Sequence, residues 1–248
     1  MRMFRSKTGP FAEQPFYEPA EIESLCADEL QKVNLYPSVP TPVRIDRFIE
    51  KRFGIQPTYE DLPRGLLGFR KFGPKGVEEI VVAKALDEDG TSQAERRLRT
   101  TLAHEGGHGF LHAHLFVLDR RPDSLFGDGL ATDAPKILCR EGEVSGVGDT
   151  TGKKAPYRWW EFQANQAIGA LLLPKPLVEK AIADILVTQG MLGLPSLPAE
   201  RREHAIRLLA NTFDVNPVVA RIRLESLYPA SAERHRNFAR QVHYEVAQ

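Results

Sequence analysis

The run TLAHEGGHGFLH constrains this chain more than any other segment, because it sets His104, Glu105 and His108 in HExxH spacing on a stretch with helical character. Residues four apart stack on one face of a helix, so the two imidazoles can reach a single metal ion. Glu105 lies about 100° around the axis from His104. That offset keeps it out of the ligand pair yet within reach of a water beside the metal, which is where a general base must stand in metal-assisted peptide hydrolysis. The surroundings favour a packed helix over a solvated one. Ser92 and Glu95 read as a capping box that opens it, and Leu98, Leu102, Gly106 and Gly109 mark a side that can pack closely on a core. Gly106 and Gly107 each cost a helix about 1 kcal/mol relative to alanine. Their presence predicts a close approach at that point, such as the floor of a cleft.

A zinc ion needs a third protein ligand, with a fourth position left open if the site is catalytic. Three residues compete for the role. His112 lies about 12 Å along the axis from His104 on a straight helix, too far to share one ion. His114 occupies the last histidine of the HExxHxxGxxH pattern, but Leu111 stands where that pattern requires a glycine able to turn left-handed. Met191 in QGML does not make the accompanying Met-turn and reads as packing. Glu161 lies in WWEFQANQAIGALLLP, where Trp160, Ala164, Ala167 and Leu171 keep helical spacing up to Pro174. A carboxylate beside aromatic residues is costly to bury unless it is paired or metal-bound, which gives Glu161 a physical motive for ligation. A glutamate is also favoured in the first turn of any helix by the macrodipole, so the motive alone does not decide between them. Asn165 would share its face.

TLAHEGGHGFLH followed by EFQANQAIGALLLP resembles the signature pair of the ImmA/IrrE family of zinc metallopeptidases, in which HExxH is joined downstream by ExxAN and a Leu-rich segment ending in Pro. The resemblance covers about residues 75–180. It implies a zincin-like fold, Zn2+ held by His104, His108 and Glu161, Glu105 as the catalytic base, and Asn165 at the family's asparagine. It further implies an endopeptidase that cleaves a helix-turn-helix transcriptional repressor and so regulates genes of a mobile element or a stress response. The chain departs from the pattern in one respect: Leu115 to Arg158 is a longer separation than many members have. His112 and Tyr157 are the candidates for stabilising the transition state, each near the proposed site in sequence.

Charge and cysteine content agree with a soluble cytoplasmic enzyme. Lys and Arg number 33 and so do Asp and Glu, which removes any global pull toward nucleic acid or an anionic membrane. Cys26 and Cys139 are too few for a disulfide framework, lack ligand spacing and read as reduced structural thiols. The opening MRMFRSKTGPFAEQPF has no apolar core of a leader, and no stretch reaches membrane-spanning length, so neither secretion nor a membrane partner is expected.

The expected fold class is α+β: a zincin-like core with a small sheet or hairpin and a helical C-terminal extension. Residues 1–40 read as an arm, aperiodic over 1–20, followed by a short helix near 20–34. Residues 41–183 read as the metallopeptidase domain. In it Thr41 and Pro42 form an N-cap and first-turn pair ahead of VRIDRFIEKRFG, with Gly54 as its stop. GLLGFRKF and VEEIVVAKAL, separated by GPKG, read as a hairpin. Its strands either close the core or offer an edge to a substrate peptide. The stretch 119–156 is rich in Asp, Gly and Pro and reads as a long loop. Its Asp123, Asp128 and Asp133 lack EF-hand spacing, and GDTTGKK lacks the order of a phosphate loop. Tyr157, Trp159 and Trp160 lead into the Glu161 helix and should anchor it. Residues 184–248 read as a helical region with a helix-turn-helix-like outline: REHAIRLLANTF, the turn DVN, and a helix from Pro217 with Asn216 as cap. Arg221 and Arg223 on that second helix would face DNA in a reader, but a neutral chain favours packing or docking of the repressor over direct contact. A second reading therefore stands beside the peptidase: a non-catalytic regulator whose metal site is structural and whose C-terminal helices bind DNA or a repressor.

Overall fold

Apolar residues at alternating positions in LLGFRKFG and GVEEIVVA build the centre of the fold, an antiparallel hairpin of β4 (Leu66–Gly73) and β5 (Gly76–Ala83). The structure is a computed structural model and describes residues 2–5, 13–73, 75–118, 136–140, 159–189 and 193–229. Ahead of the hairpin come β1 (Arg2–Arg5), β2 (Glu13–Phe16), α1 (Pro19–Lys32), α2 (Ile45–Phe53) and β3 (Thr58–Glu60). After it come α3 (Lys84–Glu88), α4 (Ser92–Leu111), α5 (Ala113–Leu118) and β6 (Lys136–Arg140). The chain continues through α6 (Trp159–Leu172), α7 (Lys175–Ala181), β7 (Val187–Gln189), β8 (Leu194–Ser196), a 3₁₀ turn at Ala199–Arg201, α8 (Arg202–Thr212) and α9 (Pro217–Leu227). The fold is mixed α+β, as expected.

The main sheet has the order β3-β5-β4-β6, with β3 parallel to β5 and the other pairs antiparallel. In strand order both hairpin strands are interior, but β3 pairs only with Val81–Ala83 of β5, so the outer edge of Gly76–Ile80 lies beyond that pairing. β6 falls inside the stretch expected to be loop throughout. Its partner is β4, with Cys139 opposite Gly68. The residues KILCR are too short and too isolated among turn formers to signal a strand by themselves.

α4 lies across the sheet and against α2, α3 and α6. Gly68 sets the separation, since a Cβ there would sit 2.7 Å from the Val81 carbonyl oxygen and 3.2 Å from Thr101 Cγ2 on α4. One core runs through these layers. It joins Ile22, Cys26 and Leu30 of α1, Phe48 and Ile49 of α2, Ile80 and Val82 of β5, Leu102 and Ala103 of α4, and Ala167 and Leu171 of α6. Ile206, Leu209 and Leu224 of α8 and α9 belong to the same cluster. No helix among the described residues is long and apolar enough to cross a membrane.

Several boundaries differ from the sequence reading for identifiable reasons. Residues 2–5 and 13–16 pair as a small hairpin where a structureless arm was expected. α2 begins at Ile45, three residues past Pro42, because Val43 is committed elsewhere: its side chain is fully buried and its carbonyl accepts from Arg99 Nη2 at 2.9 Å. Its end is as expected, with Gly54 left-handed at φ 71°. α4 is capped one residue earlier than Ser92, by Thr91, whose hydroxyl accepts from the Ala94 N–H at 3.2 Å. β5 ends at Ala83, and the following KALDE is helical.

Candidate metal centre

His104 and His108 project from the middle of α4, and Glu161 from the first turn of α6, the helix packed along it. Gly107 permits this close packing: a Cβ there would lie 2.8 Å from the Ala167 Cβ and 3.5 Å from the Ala164 carbonyl. Gly106 and Gly109 serve other contacts, against Ile49 of α2 and Phe53 at its end. The glycines thus bring helices together, and the cleft floor expected at Gly106 and Gly107 is instead a packed helix interface.

Three ligand atoms converge. His104 Nε2 and His108 Nε2 are 3.2 Å apart, and Glu161 Oε2 lies 3.2 Å from the first and 3.3 Å from the second. All three residues are buried. His112 and His114 stand outside the trio, and His114 is exposed. This group can hold a metal ion. Tetrahedral ligation with bonds of about 2.0–2.1 Å places ligand atoms about 3.3–3.4 Å from one another, so the spacing suits such an ion. Among the described residues the buried Glu161 Oε1 finds no hydrogen-bond partner, an orphaned charge-bearing atom that a cation would satisfy.

The far sides of both imidazoles are engaged, which fixes their tautomers by the pattern of partners. His104 Nδ1–H donates to Asn165 Oδ1 at 3.1 Å, leaving Nε2 with its lone pair. His108 Nδ1–H donates to His112 Nδ1 at 2.9 Å, His112 Nε2–H donates to Gln163 Oε1 at 3.0 Å, and Gln163 Nε2–H donates to the Pro15 carbonyl at 3.0 Å. Every link in this chain has one donor and one acceptor. It runs from the far side of the His108 ring to the N-terminal hairpin. Asn165 and His112, both singled out in the sequence, are thus orienting neighbours of the two histidines. Trp159 packs edge-on against His112 with ring centroids 5.4 Å apart, and Trp160 meets Trp159 in the same way. Tyr157 lies outside the described residues.

Burial drives His108 well below the usual imidazole range, with the Arg70 charge adding to it, and burial pushes His112 down to about 3. Neutral imidazoles are the form that binds metal. Burial acts to raise the Glu161 carboxyl, and His108 and His104 lower it only in their protonated form, so with neutral imidazoles the buried carboxylate is left for a cation to stabilise.

Glu105 is fully buried and paired with Arg70 of β4, which is also fully buried. Arg70 Nη1 donates to Glu105 Oε2, while Glu105 Oε1 has no partner among the described residues. A Glu105 carboxylate oxygen, a His104 ring nitrogen and Cys139 Sγ all lie within 4.8 Å of one another, so β6 borders the site. Sequence reasoning missed Arg70, Gln163 and this position of Cys139. For Arg70 a signal existed: it shares a strand face with Gly68 and Phe72, so a charge points where apolar residues belong.

Arg223, offered in the sequence as a possible DNA contact, is buried. It donates to the Leu173 carbonyl at 3.0 Å and pairs with Glu23 of α1, while Arg221 pairs with Glu203 at 3.0 Å. Compared with models of known protein families the chain matches none, and no curated protein matches it.

Proposed function

We propose that the protein is a zinc-dependent endopeptidase with a zincin-like core, its metal held by His104, His108 and Glu161 and its general base supplied by Glu105. The observation that carries the reading is the convergence of three ligand atoms within 3.2–3.3 Å beside a buried carboxylate with one oxygen unengaged. Two imidazoles, one carboxylate and no fourth protein ligand among the described residues is the donor set of a catalytic zinc site, whereas structural sites are closed by four protein ligands. When bound, zinc supplies Lewis acidity to a water and to the scissile carbonyl. Glu105 Oε1 takes the proton from the attacking water and delivers it to the leaving amine. Asn165 and His112 hold the two ligand rings in the orientation and tautomer that ligation needs.

The resemblance in HExxH and ExxAN supports a helix-turn-helix repressor as the substrate, and through its cleavage the control of genes of a mobile element or a stress response. Of the two arginines that the regulator reading offers to DNA, Arg223 is buried against Glu23 and the Leu173 carbonyl, while Arg221 stays exposed in a surface pair with Glu203. The test is Glu105→Gln in the zinc-loaded protein, incubated with a helix-turn-helix repressor that the wild type cleaves. The variant should keep its zinc and lose cleavage by at least a hundredfold, the scale of general-base contributions. Cleavage at the wild-type rate would remove Glu105 from the mechanism.

A further inference from the structure

Arg70 is the largest fully buried side chain among the described residues, and it spends its burial oddly. A buried guanidinium is costly unless its donors are used, and a buried arginine–carboxylate pair is ordinarily two-pronged. The same molecule contains such a pair. Arg223 gives Nη1 and Nη2 to the two oxygens of Glu23 and Nε to the Leu173 carbonyl, so each of its three nitrogens is satisfied. Arg70 touches Glu105 through Nη1 alone. Among the described residues its Nε and Nη2 are buried without partners, and so is Glu105 Oε1. The pair divides the carboxylate into one tethered oxygen and one left over.

The fold enforces this geometry. Gly68 lets Thr101 of α4 rest against β4. Two residues further along the strand advance about 6.6 Å and four along the helix about 6 Å, so Arg70 and Glu105 come level by the same contact. The Phe72 ring, centred 5.6 Å from Arg70 Cζ, supports the guanidinium from its own strand.

Building on the metallopeptidase reading, we infer that Arg70 is a positioning residue for Glu105: it binds Oε2, fixes the carboxylate rotamer, and leaves Oε1 as the one basic atom offered to the substrate water. Acetohydroxamic acid is a suitable probe, since it chelates zinc and passes its hydroxyl proton to a carboxylate in the general-base position. Its affinity is measured by calorimetry on zinc-loaded wild type, Arg70→Met, Arg70→Lys, Glu105→Gln and the double variant Arg70→Met/Glu105→Gln. All should carry the same zinc. Arg70→Met should bind the probe about tenfold or more weakly, and Arg70→Lys should fall between it and wild type. With Glu105→Gln already present, Arg70→Met should add less than about twofold, because a residue that acts through another has nothing left to act on.

Equal affinity in wild type and Arg70→Met would overturn the inference, as would independent, multiplying effects in the double variant. Should Arg70→Met fail to fold, Arg70→Lys and the double variant, which removes both charges together, still decide. Wild type that takes up no zinc refutes the metal reading itself, whereas normal zinc with an indifferent Arg70 refutes only this role.

Discussion

Replacing Gly107 with alanine probes the contact that brings the two ligand-bearing helices together. Gly107 sits inside α4 with ordinary helical backbone, so alanine should improve the helix by about 1 kcal/mol. The new methyl would lie 2.8 Å from the Ala167 Cβ, whereas ordinary contact begins at 3.4 Å, so α6 must retreat by about 0.6 Å. Ala167 has no rotamer with which to yield. Overpacking of this kind costs about 1–3 kcal/mol, which leaves a net loss on the order of 1 kcal/mol. The displacement matters more to the metal than to the fold. Metal–ligand distances tolerate only about 0.2 Å, and α6 carries Glu161, so zinc affinity should fall on the order of tenfold or more. Gly106→Ala is the control: its methyl meets the terminal Cδ1 of Ile49 at 3.0 Å, on a different helix from Glu161. Chemical denaturation of the metal-free proteins and zinc competition against a chelator would measure both quantities. Gly107→Ala with wild-type zinc affinity, or the two variants indistinguishable, would refute the argument that this interface sets the ligand geometry.

Two further outcomes follow from buried titratable groups. His112, pushed down to about 3 by burial, stays neutral in the folded chain while the unfolded chain takes up a proton below about 6.5. The unfolded state therefore binds more protons, and the metal-free protein should lose stability as pH falls from about 6.5 toward 3, by about 3 kcal/mol per two pH units from this group alone. His112→Leu should flatten that slope in urea titrations, and an unchanged slope would contradict the burial. The Cys26 thiol is raised well above its usual range, first by burial and then by the Glu23 carboxylate, so iodoacetamide at pH 8 should leave it intact in the folded protein and label it after denaturation. Labelling of Cys26 at equal rates in both states would contradict this.

What could be read from the sequence was whatever a local pattern encodes. Helical spacing around His104 and around Glu161 located α4 and α6, and alternation located the β4–β5 hairpin, because each pattern lies within one element. The ligand trio was reachable only by combining two motifs that are separated by more than fifty residues. Arg70 shows why the rest was hidden. Its partner Glu105 is 35 residues away on a different element, and nothing in GFRKF names that partner. β6 owes its strand to β4 beside it, and the helix start at Ile45 owes its position to Arg99 reaching back to Val43. These features are set by tertiary contacts, which override the local preference that a single segment displays. The N-terminal hairpin belongs with them, held to the site by Gln163 and invisible as a period in its own residues.

The most direct test of the central claim is zinc per chain, measured by elemental analysis on folded wild type and on Glu161→Ala. One zinc in the wild type and a strong loss in the variant are the expected results. Undiminished zinc in folded Glu161→Ala would contradict the two-histidine, one-glutamate centre, and a wild type that takes up none on reconstitution would contradict the metal site altogether.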